Sequence, residues 1–122
     1  MVRIQQHGAN GELFDLNAFL ADLDTLCPAE EWEVSVGECL GDGAAEVESF
    51  GFSKPSLVTT EHLRTLYRNV YQTIDGEFIG YRGGKEHCRF VAVDSSYWEI
   101  VGPPDFEAAF ALKYGLYVPR RI

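Results

Sequence analysis

Basic residues are scarce where the chain begins. Residues 1–50 hold one, Arg3, against eleven acids, for a net charge of −10, while residues 51–122 hold nine bases and eight acids. The formal charge of −9 therefore sits entirely in the first fifty residues. Such a field repels a phosphate backbone over a Debye length of roughly 8 Å at physiological salt and attracts a basic partner. Direct nucleic-acid binding is disfavoured on that ground. Cysteine is also scarce: Cys27, Cys39 and Cys88 are odd in number, widely spaced and without a CxxC pair. They suggest neither a disulfide framework nor a zinc ribbon, and read as buried thiols in a reducing compartment. No apolar run approaches the roughly 18 residues of a spanning helix, so no membrane role is expected. The opening MVRIQQHGANGE lacks the apolar stretch of a secretory signal, so the expected location is cytoplasmic. No repeat, low-complexity run or linker divides the chain, and residues 1–122 read as a single domain.

What is present describes a folded object. Apolar residues make up 46% and aromatics 13%, enough for one core. Leu16, Phe19, Leu20, Leu23 and Leu26 form one stripe of a helical period, with Asp15 or Asn17 to cap its start and Pro28 to stop it. Trp32, Val34 and Val36 alternate with Glu31, Glu33 and Ser35 as in a half-buried strand. Gly41-Asp42-Gly43 then predicts a hairpin turn, with Ala45 and Val47 returning as a second strand. On that reading Glu31, Glu33, Glu46 and Glu48 share the hairpin's open face, with Asp42 at its tip. Clustered like charges are a local conflict of the kind that marks function.

Pro55-Ser56 ends that run, and Thr59 or Thr60 caps a helix over EHLRTLYRNVYQ, with Leu63, Leu66, Tyr67 and Val70 as its buried stripe. Asp75-Gly76 predicts a turn. GEFIGYR and EHCRFVAVD follow as strands joined at Gly83-Gly84, then the short strand YWEIV, and Pro103-Pro104 opens a closing helix that ends at Gly115. With a first strand around Val2 to Gln6, the order is roughly β-α-β-β-α-β-β-β-α. Its short links predict an α+β fold, a largely antiparallel sheet with about three helices on one face.

Catalytic and metal-binding patterns are weak. In Glu86-His87-Cys88, strand neighbours point to opposite faces, so no metal site is expected there. No GxSxG elbow or framed Cys-His pair occurs, GDGAAE departs from a dinucleotide fingerprint, and GYRGGK lacks P-loop spacing. VDSSYWEIVG, residues 93–102, places Asp94, Ser95 and Ser96 where two strands must part. A turn is the simpler reading, with Trp98 and Ile100 on the core side and Tyr97, Glu99 and Val101 opposite. Among the many aromatics of the last third, Tyr97, Tyr114 and Tyr117 are expected to stay exposed.

Residues 73–115, combining IDGEFIGY, a hairpin, VDSSYWEIVG and a short closing helix, resemble small bacterial immunity proteins, the antidotes encoded beside polymorphic or contact-delivered toxins. The resemblance implies function by binding, with no catalytic residue and no cofactor. It agrees with the acidic first half, since an acidic inhibitor can cover a basic, phosphate-seeking cleft and gain association rate from steering. The expected function is thus a non-enzymatic inhibitor of a basic toxin domain, such as a nuclease, with Glu31, Glu33, Asp42, Glu46, Glu48 and Tyr97 at the contact. The alternative is a small-molecule or minor enzymatic domain, with a pocket between sheet and last helix that presents Tyr97, Glu99 and His87.

Overall fold

The structure, a computed structural model, describes residues 1–26, 28–49 and 57–119. Cys27 and the predicted break at Pro55-Ser56 lie outside the described residues. The elements are β1 (Val2–Gln5), α1 (Leu16–Leu26), β2 (Glu31–Gly41), α2 (Ala44–Ser49), β3 (Leu57–Thr59), α3 (Thr60–Tyr67), β4 (Val70–Arg82), β5 (Lys85–Val93), β6 (Tyr97–Val101) and α4 (Pro104–Tyr114). The strands form one antiparallel sheet in the order β1-β6-β5-β4-β2-β3. The α+β architecture is as the patterning predicts, with a fourth helix added.

Period-two alternation selects which face is buried. Ile4, Trp98, Ala92, Phe90, Phe78, Val34 and Trp32 fall on one side of the registered strands, and all are 3% exposed or less. The helices cover that side. Phe19 of α1 lies 5.4 Å from the Phe90 ring and 5.0 Å from Trp98, and Tyr67 of α3 meets Phe78 edge-on at 5.3 Å. Phe106 and Phe110 of α4 reach Phe90 at 6.0 and 5.7 Å, and Val47 of α2 joins the same cluster. The outer edge of β1 is covered by the chain after α4: Gly115 O accepts from Gln5 N at 3.0 Å, and Tyr117 N donates to Arg3 O at 2.9 Å. That pairing shields a strand edge that would otherwise recruit another chain.

Four local expectations need correction. Residues 44–49 form helix α2, not the return strand of a hairpin. Four alternating residues are too few to separate period two from period 3.6, and Ala and Glu favour helix. Val47 still buries its side chain, and its N–H bonds back to Gly43 O at 3.1 Å. The third helix stops at Tyr67, and Val70 is buried from a strand instead. Asp75-Gly76 lies inside β4. There a Cβ on Gly76 would stand 3.1 Å from Thr73 Cγ2 and 3.3 Å from Val36 Cγ2, so this glycine serves close packing where the β2–β4 register shifts. Leu26, predicted to complete the α1 stripe, is 48% exposed at the helix end.

Gly80, on β4, faces the core. A Cβ there would lie 2.7 Å from Cys88 Sγ and 3.0 Å from both Ala29 Cβ and the Trp32 ring. Gly80→Ala is expected to cost about 1–3 kcal/mol through overpacking. Urea unfolding should show a lowered midpoint at unchanged slope.

Candidate functional site

With every helix on one side, the opposite side of the sheet is uncovered by any described element. Its side chains alternate with the core rows and fall into registered columns. One runs Val101, Arg89, Ile79, Glu33, Leu57 across β6, β5, β4, β2 and β3. The next runs Arg3, Glu99, Val91, Glu77, Ser35 across β1, β6, β5, β4 and β2. Apolar and charged groups thus interleave on an open surface, with tyrosines near both ends.

Ion pairs neutralise part of this surface. Arg3 Nε lies 3.1 Å from Glu99 Oε2, and Arg89 serves two acids, Glu86 at 2.7 Å and Glu77 at 3.7 Å. Among the described residues, Glu31 and Glu33 make no ion pair. Glu33 Oε2 accepts the Tyr81 hydroxyl at 3.0 Å, and that bond raises the phenol's pKa. Tyr97, half-buried, lies between the Arg3 guanidinium, 5.1 Å from its ring centre, and the Tyr117 ring at 4.6 Å. Tyrosine and arginine held this way present large contact area at little further entropic cost on binding.

The predicted acidic set is divided by the fold. Glu31 and Glu33 stand on the open face at the start of β2, while Asp42 follows its far end, about 35 Å away at roughly 3.3 Å per residue. Glu46 and Glu48 ride on α2, which packs on the covered side of the sheet. Tyr97 shares the open face with Glu33, but stands three strands across and four residues along β6 from Val101, the β6 member of Glu33's column. Glu77, Glu86 and Glu99 join the face from the balanced half of the chain, where net charge concealed them. The alternation of Glu77 with Phe78 and of Glu99 with Trp98 was the available signal, whereas Glu86 shares the parity of Cys88 and reaches the face only through the register shift beside Tyr81. Tyr114, expected outside, is 5% exposed: its hydroxyl donates to Asp22 Oδ2, and its ring packs on Phe14 and Phe19.

Comparison with protein-family models, with curated proteins and with solved structures finds no match.

The Asp94-Ser95-Ser96 stretch is a turn. Asp94 and Ser95 take φ of 48° and 52°, and Ser96 N donates to Val93 O at 2.9 Å, closing a tight reversal between β5 and β6. Asp94 N donates to Asp75 Oδ1 at 3.0 Å and Ser95 N to Ile74 O at 3.0 Å, which hold the turn in this conformation. His7 does reach this stretch, but its Nε2 stands 2.9 Å from the Ser95 carbonyl oxygen. A carbonyl only accepts, so Nε2 carries the proton and the contact pins the backbone rather than activating a hydroxyl. Cys39 and Cys88 are both buried but lie on β2 and β5 with β4 between, at opposite ends of the sheet. Burial, with Glu48 and Asp15 nearby, pushes the Cys39 thiol up to about 11. Among the described residues, no group of three or more His, Cys, Asp or Glu side chains is placed to hold a metal ion. No described helix is long and apolar enough to cross a membrane.

His87 lines a 470 Å³ cavity with Glu86, Cys88, Arg89, Val101 and Gly102. Tyr97 and Glu99 do not line it, so the three polar groups of the predicted pocket do not converge.

One polar cluster lies inside the fold and was not visible in the sequence. Asp15, at the start of α1, accepts Thr73 N at 2.9 Å and the Thr73 hydroxyl at 3.1 Å. That hydroxyl stands 2.8 Å from Tyr67 Oη, whose proton completes the chain, and Gln6 Nε2 donates to Thr73 O at 2.7 Å. Asp15 is 6% exposed, and burial outweighs the Thr73 and Leu16 bonds to raise its pKa to about 6. Burial also lifts the Tyr67 hydroxyl far above its ordinary range. This cluster ties α1, α3, β1 and β4 together.

Proposed function

We propose that the protein acts by binding, as an inhibitor of the immunity type that covers a basic toxin domain with the open face of its sheet. The observation that supports this reading is the uncovered face itself, where Glu31 and Glu33 make no ion pair among the described residues and stand beside Leu57 and Tyr81. The remaining acids of that face share two guanidiniums. Such carboxylates steer a basic partner toward the sheet, and the interleaved apolar and tyrosine groups supply area that is desolvated on contact. Asp42, Glu46 and Glu48 then contribute to the long-range field rather than to the contact.

The test is the association rate with the toxin domain encoded beside this chain, measured by stopped flow over a series of salt concentrations. The double variant Glu31→Lys, Glu33→Lys is expected to slow association about ten-fold or more at low ionic strength and to flatten its salt dependence. Asp42→Lys with Glu46→Lys should change it much less. Equal effects of the two pairs would remove the open face from the interface, and no complex with the neighbouring product would remove the inhibitor reading.

A further inference from the structure

Past α4 the chain turns at Gly115, whose φ of 87° suits glycine, and runs back along β1. Residues 116–119 then form one wall of an 810 Å³ cavity. Gln5 and His7, at and just beyond the end of β1, and Ser95 and Ser96 of the β5–β6 turn complete the lining. The size falls within the range of about 300–1,000 Å³ usual for ligand sites. None of the lining residues is Asp, Glu, Lys or Arg. In a chain of formal charge −9 with 24% charged residues this is a neutral basin, and an ionic ligand would be desolvated there without a counter-charge.

The polar groups of the basin are fixed from behind. Gln5 Nε2 donates to Tyr114 O at 2.9 Å, His7 Nε2 to Ser95 O at 2.9 Å, and the Ser96 hydroxyl to Asp94 O at 3.2 Å. Each bond uses a donor and leaves an acceptor: Gln5 Oε1, His7 Nδ1 and the lone pairs of the Ser96 oxygen. Among the described residues, Gln5 Oε1, His7 Nδ1 and the Ser95 hydroxyl have no hydrogen-bond partner. Tyr117 supplies a flat apolar surface. Its ring is stacked on Tyr97 at 4.6 Å, Tyr97 in turn carries the Arg3 guanidinium at 5.1 Å, and Tyr117 N is tied to Arg3 O. The ring is therefore held, and the part that lines the cavity is the part Tyr97 leaves open.

We propose that this basin binds a neutral saccharide, with one pyranose ring laid against Tyr117 and its hydroxyls donating to Gln5, His7 and Ser96. A pyranose joins an apolar C–H face, which suits the electron-rich face of an aromatic ring, to a rim of hydroxyls. The excess of acceptors over donors in the lining calls for a ligand rich in O–H groups, and the Ser95 hydroxyl can donate to the ring oxygen. The lack of charge selects against phosphorylated and carboxylated sugars. Asp94 and Ser95 stay at φ of 48° and 52° because Asp75 Oδ1 and Ile74 O hold their N–H groups, so this wall is preformed and little ordering is left for binding. The site is separate from Glu31 and Glu33 and does not depend on the inhibitor reading.

The probes are the methyl β-glycosides of glucose, galactose and mannose, each titrated to about 50 mM into the ¹⁵N-labelled protein, with the methyl glucuronide anion as charged counterpart. At least one neutral glycoside is expected to shift the amides of residues 5, 7, 95, 96 and 116–118, and to bind at least about five-fold more tightly than the glucuronide. Tyr117→Ala should weaken that binding about five-fold or more, and Tyr117→Phe should keep most of it. Ser95→Gly suits the φ of 52° and so should fold at least as stably, while weakening binding about two- to five-fold. Glu31→Lys with Glu33→Lys should leave the titration unchanged. Absence of shifts with all three glycosides, shifts centred away from the basin, or a glucuronide that binds as tightly would each overturn the proposal. So would unchanged affinity in both Tyr117→Ala and Ser95→Gly, or tighter binding of uridine, a neutral nucleoside, than of every glycoside.

Discussion

Phe19→Ala is expected to lower the free energy of unfolding by about 3–5 kcal/mol, the largest single effect anticipated for this chain. Phe19 is fully buried and meets Phe90, Trp98, Phe110 and Tyr114 at ring-centre distances of 5.0 to 5.5 Å. It therefore joins α1, α4, β5 and β6 through one side chain. Truncation removes the transfer energy of the ring and leaves a cavity that four further aromatics can close only by leaving their rotamers. Phe19→Leu should recover a substantial part of the loss, because it refills much of the volume. Calorimetry or urea unfolding gives both values. If Phe19→Ala loses less than about 1 kcal/mol, comparable to a surface substitution, Phe19 is not the hub of the core.

The second large effect is a pH dependence centred on Asp15. Its carboxyl titrates near pH 6 in the folded protein and near its ordinary 3.8 once the chain unfolds. Between those values the folded state holds a proton that the unfolded state has released, so stability falls as pH rises through the window. The contribution is fully present below about pH 4 and gone above about pH 6. Its full size is about 3 kcal/mol, from two pKa steps of about 1.4 kcal/mol each. Burial raises the Glu107 pKa but the N-terminal ammonium and the Gly102 N–H together lower it, so Glu107 acts in the opposite direction, and the variant Asp15→Asn isolates the effect. An amide keeps an acceptor for Thr73 N and gains a donor to the Thr73 hydroxyl without a buried charge. Asp15→Asn should therefore be more stable than the wild type near pH 7.5, with the difference shrinking as pH falls through 6. A wild-type-minus-variant difference that stays flat between pH 4 and 7.5 would show that Asp15 does not titrate in this window.

The strand rows were legible because alternation extended over enough residues to fix a period. Trp98 and Ile100 face inward and Tyr97 and Glu99 outward, as the sequence predicts for YWEIV. The turn at Gly83-Gly84 was equally readable, since its φ values of 59° and 75° suit glycine. Residues 44–49 were misread because Ala45 and Val47 sample too short a stretch, and Asp75-Gly76 because a glycine needed for close packing carries the same local signal as one needed for a turn. The candidate surface was half legible. Glu31, Glu33 and Tyr97 stand on the open face, whereas Asp42, Glu46 and Glu48 had been grouped with the two glutamates on a hairpin that does not form.

The sequence alone determined the quantities that depend on local order: the charge of the first fifty residues, the periods of the longer elements, the caps at Thr59 and Gly115, and the choice of core side for β2 and β6. Only the tertiary structure decided which surfaces meet. Strand order places acids from the balanced half of the chain beside Glu33, and Asp15 meets Thr73 across 58 residues of sequence. The basin beside Tyr117 exists only because residues 116–119 return alongside β1. A residue's own neighbours set its dihedral preferences and its inward or outward parity. Contacts between distant segments are set by how whole faces pack, and no local pattern encodes them.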